Sequence, residues 1–380
     1  MKLFRKIHLW LSVPFGIIIT LICFSGAMLV FEPEITRSLK SEAYYVASPE
    51  GELMDMNVLM ETVKATLPDS VSITGVTVFD DKDRTYQVNL SKPRKASVFI
   101  DPYSGRITGK YERLGFFTVM FRLHRWLLDS ANPHGDGLKA GKMLVGISTL
   151  AFVVALITGV IIWWPRARKN LTRSLSISFK NGWRGLWTGF HVAGGIYALV
   201  ILLVMSLTGL TWSFSWYRTA FYAVCGVEHA PRKLGNTGKG NKDNSEGGTH
   251  DITRRGEGDG SSEFSRWQWV YDELKTQNHD AAKITVGHGT ATVTLGTLGN
   301  SQASDCYRFN HCSGEIAPVI EYADSAPADR LRGWIYSIHT GSLGGIVTRI
   351  LWFLGALLGA SLPLTGYYIW IRRLRQSHVK

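Results

Sequence analysis

The chain has 380 residues, 45% of them apolar and 12% aromatic, with 42 Lys and Arg against 30 Asp and Glu for a net charge of +12. The apolar residues are gathered into blocks, so the length cannot be read as two or three soluble domains. The cations cluster in short segments beside those blocks, which accounts for the charge by membrane topology and leaves no need for a nucleic-acid partner.

Residues 1–31 predict a first transmembrane helix. The apolar stretch 9–31 follows Lys2, Arg5 and Lys6 as a secretory signal would, but it exceeds an h-region, and Ser25-Gly26-Ala27-Met28 makes a poor cleavage site. It reads as a retained anchor. Residues 32–113 predict a small α+β domain, with a helix over 56–67, a strand over 73–79, and a strand, turn and strand over 98–107 around Asp101-Pro102-Tyr103-Ser104-Gly105. Residues 114–137 predict an amphipathic interfacial helix carrying His124, then a Pro/Gly break at 133–137.

A second span follows over 138–165, ending in Trp163-Trp164-Pro165-Arg166, and 166–184 form a basic loop. Residues 185–213 give the third span. Residues 214–330 repeat the α+β pattern, with a helix over 264–276, β-rich 283–295 and a strand–turn–strand over 307–316. The polar insert 231–263, rich in Gly, Asn, Lys, Asp and Ser, is expected to be mobile. Residues 331–345 mirror the first interfacial helix with His339 and a Gly break, 346–372 form the fourth span, and 373–380 a basic tail.

The fold class expected is a mainly α membrane protein, its four transmembrane helices arranged in two parallel-topology repeats, each half with a small α+β domain outside. Lys and Arg concentrate at both termini and in the 166–184 loop, which puts these segments in the cytoplasm. Cys306 and Cys312 lie on the outer side, where a disulfide is allowed, but the residues between them look extended enough to hold them apart.

The repeat extends to detail. His8 precedes Gly26 by eighteen residues and His191 precedes Gly209 by eighteen, and each span carries one Ser/Thr-Gly pair: Ser25-Gly26, Thr158-Gly159, Thr208-Gly209, Thr365-Gly366. Taken alone, these pairs read as helix-packing contacts. The histidines divide by side, His8 with His191 toward the cytoplasm and His124 with His339 outside. Two imidazoles without nearby carboxylates or cysteines suit neither zinc nor calcium, but they suffice for haem, whose porphyrin supplies the other four ligands. The absence of Cys-x-x-Cys-His points to non-covalent haem b, two per chain.

Gly189, Gly194 and Gly195 beside His191 leave room for a macrocycle or, on the favoured reading, for close packing. Arg122, Arg125, Arg332 and Arg349 outside, with Arg5 and Arg184 inside, are candidate partners for haem propionates, lipid phosphate being an equal alternative for each. His134 is a rival outer ligand in an exposed turn. His229, His250, His279, His288, His311 and His378 lack a partner pattern.

Leu123-His124-Arg125-Trp126-Leu127, Ile161-Ile162-Trp163-Trp164-Pro165-Arg166, Phe190-His191 with Gly194-Gly195, Ile338-His339-Thr340-Gly341 and the Asp101–Arg106 turn together resemble the PepSY-associated transmembrane proteins of bacteria, also called iron-regulated membrane proteins. The resemblance covers nearly the whole chain. It implies PepSY-like periplasmic domains, an inner-membrane location, two b haems on His8, His191, His124 and His339, and delivery of electrons to a periplasmic ferric siderophore, such as a hydroxamate, with release of ferrous iron. The 380 residues leave no room for a flavin and nicotinamide module, so the donor is expected to be a quinol or a cytoplasmic reductase. The second outer turn departs from the family pattern, with Asn310-His311-Cys312 in place of Asp101-Pro102-Tyr103. Two alternatives compete with the reductase: a periplasmic PepSY-type regulatory or binding protein anchored by a haem-free bundle, which leaves the paired histidines without a purpose, and a siderophore transporter, for which the spans lack intramembrane carboxylates for proton coupling.

Overall fold

The computed structural model describes residues 1–93, 96–129, 140–178, 182–228, 264–296, 299–310, 313–317 and 321–377. The polar insert 231–263, the 133–137 break, Cys312 and the histidines at 134, 229, 250, 311 and 378 lie outside the described residues. Cys306 is exposed in the second half of the sheet.

Among the described residues three helices are long and apolar enough to cross a membrane, Lys2–Leu29, Ala140–Ala167 and Ser342–Gln376. Gly182–Tyr197 and Leu199–Ser213 would make a fourth span as a pair. Their outward faces are apolar, with Trp10 76% and Val200 69% exposed, as a lipid-facing surface requires. The first helix packs against the second and the last, and Leu199–Ser213 packs against the same two.

The third segment departs from the straight span its apolar run predicts, because its two pieces meet at 61°. The break falls at Ala198, and within the first piece the backbone widens into a π-helix over Phe190–Gly194 around His191. Gly194 and Gly195 lie against Leu358 and Leu362 of the last helix, where a Cβ would make an ordinary contact at 3.7 Å, so close packing does not require glycine at either. The first helix begins at Lys2, which puts His8 well inside it rather than at its start.

Outside the bundle, the two separate α+β domains expected from sequence form one body. Seven antiparallel strands, β1 (Ile73–Phe79), β2 (Tyr86–Leu90), β3 (Ser97–Ile100), β4 (Ile107–Lys110), β5 (Ala281–Gly287), β6 (Thr290–Leu295) and β7 (Ser304–Arg308), run in the order β4-β3-β2-β1-β5-β6-β7. The seam is β1 against β5, with Gly75 opposite Gly287 and Thr77 opposite Thr285. Its glycines allow a reciprocal approach: a Cβ on Gly75 would meet the Val286 carbonyl at 2.8 Å, and one on Gly287 the Thr74 carbonyl at 2.7 Å.

Helices Met56–Lys64 and Trp267–Gln277, one from each half, cover one face of this sheet. Met56, Leu59, Met60 and Val63 repeat at helical spacing, as do Trp267, Val270 and Leu274, and all join a single core with Val76, Val88, Ile284 and Val286. The two turns share one backbone bond: Gly105 donates its N–H to the Asp101 carbonyl and Gly314 to the Asn310 carbonyl, each glycine at left-handed φ.

Two collar helices, Gly115–Trp126 and Pro327–Thr340, sit between sheet and bundle. The first ends on two leucines in the left-handed region, Leu127 at φ 51° and Leu128 at φ 63°, and the second on Gly341 at φ 74°, where no side chain resists. Ion pairs tie the layers together. Glu32 takes two bonds from Arg113 at 2.5 and 2.7 Å, and Glu34 two from Arg349 at 2.6 and 2.7 Å. Helix Glu32–Leu39, which carries both carboxylates, has no counterpart in the sequence reading.

Candidate functional site

Each of the four chosen histidines lies across a neighbouring helix on one of the Ser/Thr-Gly pairs. His8 lies over Gly159, His124 over Gly26, His191 over Gly366 and His339 over Gly209. The pairs are therefore seats for imidazoles, a more specific role than the packing contacts they suggest in isolation. Spacing of eighteen within one helix gave no sign that the partner of each glycine would come from a different helix.

The seats share one hydrogen-bond pattern. His8 Nδ1 lies 3.0 Å from the Ala155 carbonyl, His124 Nδ1 2.9 Å from Ile22, His191 Nδ1 3.1 Å from Leu362 and His339 Nδ1 3.0 Å from Met205, in every case the carbonyl one turn before the glycine. A carbonyl only accepts, so Nδ1 carries the proton and Nε2 keeps its lone pair. Neutral imidazole tied at one nitrogen and open at the other is the state a metal ligand needs.

The structure brings the rings together in two couples. The centroids of His8 and His191 are 6.4 Å apart, and those of His124 and His339 are 6.1 Å apart. Two metal–nitrogen bonds of about 2 Å, extended by an imidazole radius of about 1 Å at each end, place the ring centres of two trans ligands about 6 Å apart. Both couples match this separation. No group of three or more His, Cys, Asp and Glu suited to a metal ion occurs among the described residues, so the donor set fits a metal that arrives with most of its ligands, as haem iron does.

A cavity of about 700 Å³ opens at the outer couple, within the usual range for cofactor sites. His124, His339, Gly26 and Gly209 line it together with apolar Ile19, Phe152 and Leu202 and the cations Arg113, Arg125, Lys142 and Arg349. Trp212 packs edge-to-face with His339, their ring centroids 5.1 Å apart.

Of the arginines singled out from sequence, Arg125 and Arg349 reach this cavity. Arg125 lies over Phe121 and Trp126 and has no carboxylate partner among the described residues. Arg349 is already engaged by Glu34 and the Val30 carbonyl, so it braces the first helix against the last. Arg332 is exposed and paired with Asp329, and Arg122 is not among the cavity's lining residues. Among the described residues no contact joins Arg5 or Arg184 to either couple. Arg113 and Lys142 were missed, because nothing in their local sequence separates them from ordinary boundary cations.

His279 and His288 stay apart from both couples. His288 bonds the Ile73 carbonyl and packs beside Trp267 at the sheet.

No curated protein is matched by a search with this sequence. The family model for the PepSY-associated TM region matches residues 5–373, and the chain belongs to that family.

Proposed function

We propose that the chain is a dihaem b reductase of the bacterial inner membrane that passes electrons outward to a periplasmic ferric siderophore. Both termini are placed in the cytoplasm, where the short basic segments lie, and the sheet in the periplasm. The observation that carries the reading is the pair of histidine couples, each at the separation of two ligands on one iron and each with Nδ1 committed to a backbone carbonyl. His8 with His191 and His124 with His339 would each hold one haem, which would supply a one-electron centre for outer-sphere transfer.

The chain's own residues hold the imidazoles neutral and oriented, keep the layer between the couples apolar with Ile19, Phe152, Leu156 and Leu202, and place Arg125 at the outer cavity for carboxylates, Arg113 there being already paired with Glu32. One electron per ferric ion weakens its hold by hard oxygen ligands such as hydroxamates, so ferrous iron is released without hydrolysis of the chelate. The electron enters from a quinol or a cytoplasmic reductase. The siderophore substrate rests on the family resemblance.

Visible spectra of the purified protein test this reading. A Soret band with sharp reduced α and β bands and two haems per chain is expected, with His339→Ala removing one and His191→Ala the other. A colourless protein, or one that keeps both haems in each variant, overturns it.

A further inference from the structure

The four histidine seats differ in one respect. Behind three of them a threonine hydroxyl adds a second acceptor for the Nδ1 proton: Thr158 Oγ1 at 3.2 Å from His8, Thr365 Oγ1 at 2.9 Å from His191 and Thr208 Oγ1 at 3.1 Å from His339. Each of these hydroxyls spends its own hydrogen on its helix, Thr158 toward Val154 and Ala155, Thr208 toward Val204 and Met205, and Thr365 toward Ser361 and Leu362. It can therefore meet the imidazole only as an acceptor. At the fourth seat Ser25 turns its hydroxyl to Leu21 at 2.6 Å and Ile22 at 3.1 Å, and His124 has the Ile22 carbonyl as its one acceptor among the described residues.

We propose that these threonines are positioning residues that set the inner couple at a lower reduction potential than the outer one, so that an electron runs outward. The proposal rests on the dihaem reading. Accepting at Nδ1–H makes an imidazole a more basic ligand and favours ferric over ferrous iron. The inner couple has two such hydroxyls, on His8 and His191. The outer couple has one, on His339. The asymmetry therefore points the gradient from the end bearing the chain termini toward the sheet.

Spectroscopic redox titration of the intact dihaem protein tests this, with His339→Ala used to assign the inner signal. The outer haem should titrate at the higher potential. Thr158→Val and Thr365→Val, which keep shape and remove the hydroxyl, should each raise the inner potential by a few-fold to tenfold in the ferrous-to-ferric ratio, tenfold being 59 mV for one electron. Thr158→Ser and Thr365→Ser should restore it, and Ser25→Ala should leave the outer potential in place. The proposal is overturned if the inner potential ignores both valines, if Ser25→Ala shifts the outer haem as far as Thr208→Val does, or if the wild-type order is reversed. A colourless preparation would overturn the dihaem reading and this proposal with it, whereas a coloured one with unresponsive potentials would overturn this proposal alone.

Discussion

Alanine at Gly26 or Gly209 should loosen the outer couple, while alanine at Gly159 or Gly366 should leave the inner couple intact. A Cβ on Gly26 would stand 2.9 Å from His124 Cε1 and one on Gly209 3.0 Å from His339 Cε1, against 3.6 Å at Gly159 to His8 and 3.4 Å at Gly366 to His191. Carbon atoms rest about 3.5–4.0 Å apart, so an outer ring must retreat by about 0.5 Å or more. That retreat starts from Nδ1 bonds of 2.9 and 3.0 Å and carries them to the limit of hydrogen bonding. The loss is about 1 kcal/mol for the bond itself, and 10–100-fold in metal retention, as when a partner behind a metal ligand is removed. Alanine favours a helix over glycine by about 1 kcal/mol, so the helices themselves supply no reason for a loss. Haem per chain, measured by pyridine haemochrome after incubation with a haem-scavenging apoprotein, should fall from two toward one in the outer variants and stay at two in the inner ones. Equal retention in all four variants, or loss confined to the inner pair, would refute the reasoning.

Three further outcomes follow from the geometry. Gly287→Ala forces a methyl to 2.7 Å from the Thr74 carbonyl and should destabilise the sheet by about 1–3 kcal/mol in denaturant melts, whereas Gly115→Ala, with nothing within 4 Å, should not. Leu128 is 43% exposed and left-handed, so Leu128→Gly should hold or raise the thermal midpoint and Leu128→Ile should lower it; the opposite order would show that its side chain matters more than its backbone. Arg349 holds the Glu34 carboxyl below the ordinary carboxylate range chiefly by hydrogen bonding. A lowered folded value means that the contribution is present at neutral pH and fades as pH falls below about 4 through the folded value. Glu34→Gln should therefore be less stable at pH 7 and flatten that acid limb, and parallel acid limbs in the two proteins would count against the pair.

The long helices, the collar helices and the division of the histidines by side could be read from sequence, because apolar run length, amphipathic spacing and charge each report on local structure. Strand pairing between the halves could not. The patterns of Ile73–Phe79 and Ala281–Gly287 mark them as strands, but nothing in either names the other as its neighbour. The bend at Ala198 was hidden because the residues around it are as apolar and small as those of an unbroken span. The glycine seats were visible as residues but not as seats, since a pair such as Thr208-Gly209 specifies a gap on a helix face and not what fills it. Arg349 looked available as a lone cation near a boundary, yet its partner Glu34 is distant in sequence and met only in three dimensions.

The seam between β1 and β5 joins halves that each contribute one imidazole to each couple. A chain severed after its second long helix would keep His8 and His124 but neither mate, and would present β1 as a bare edge of the kind that recruits another strand. Two copies of such a fragment, related by a twofold axis along the bundle, would close that edge and complete both histidine couples at once. The single polypeptide is thus arranged as a tethered dimer, in which covalent linkage frees the two members to differ.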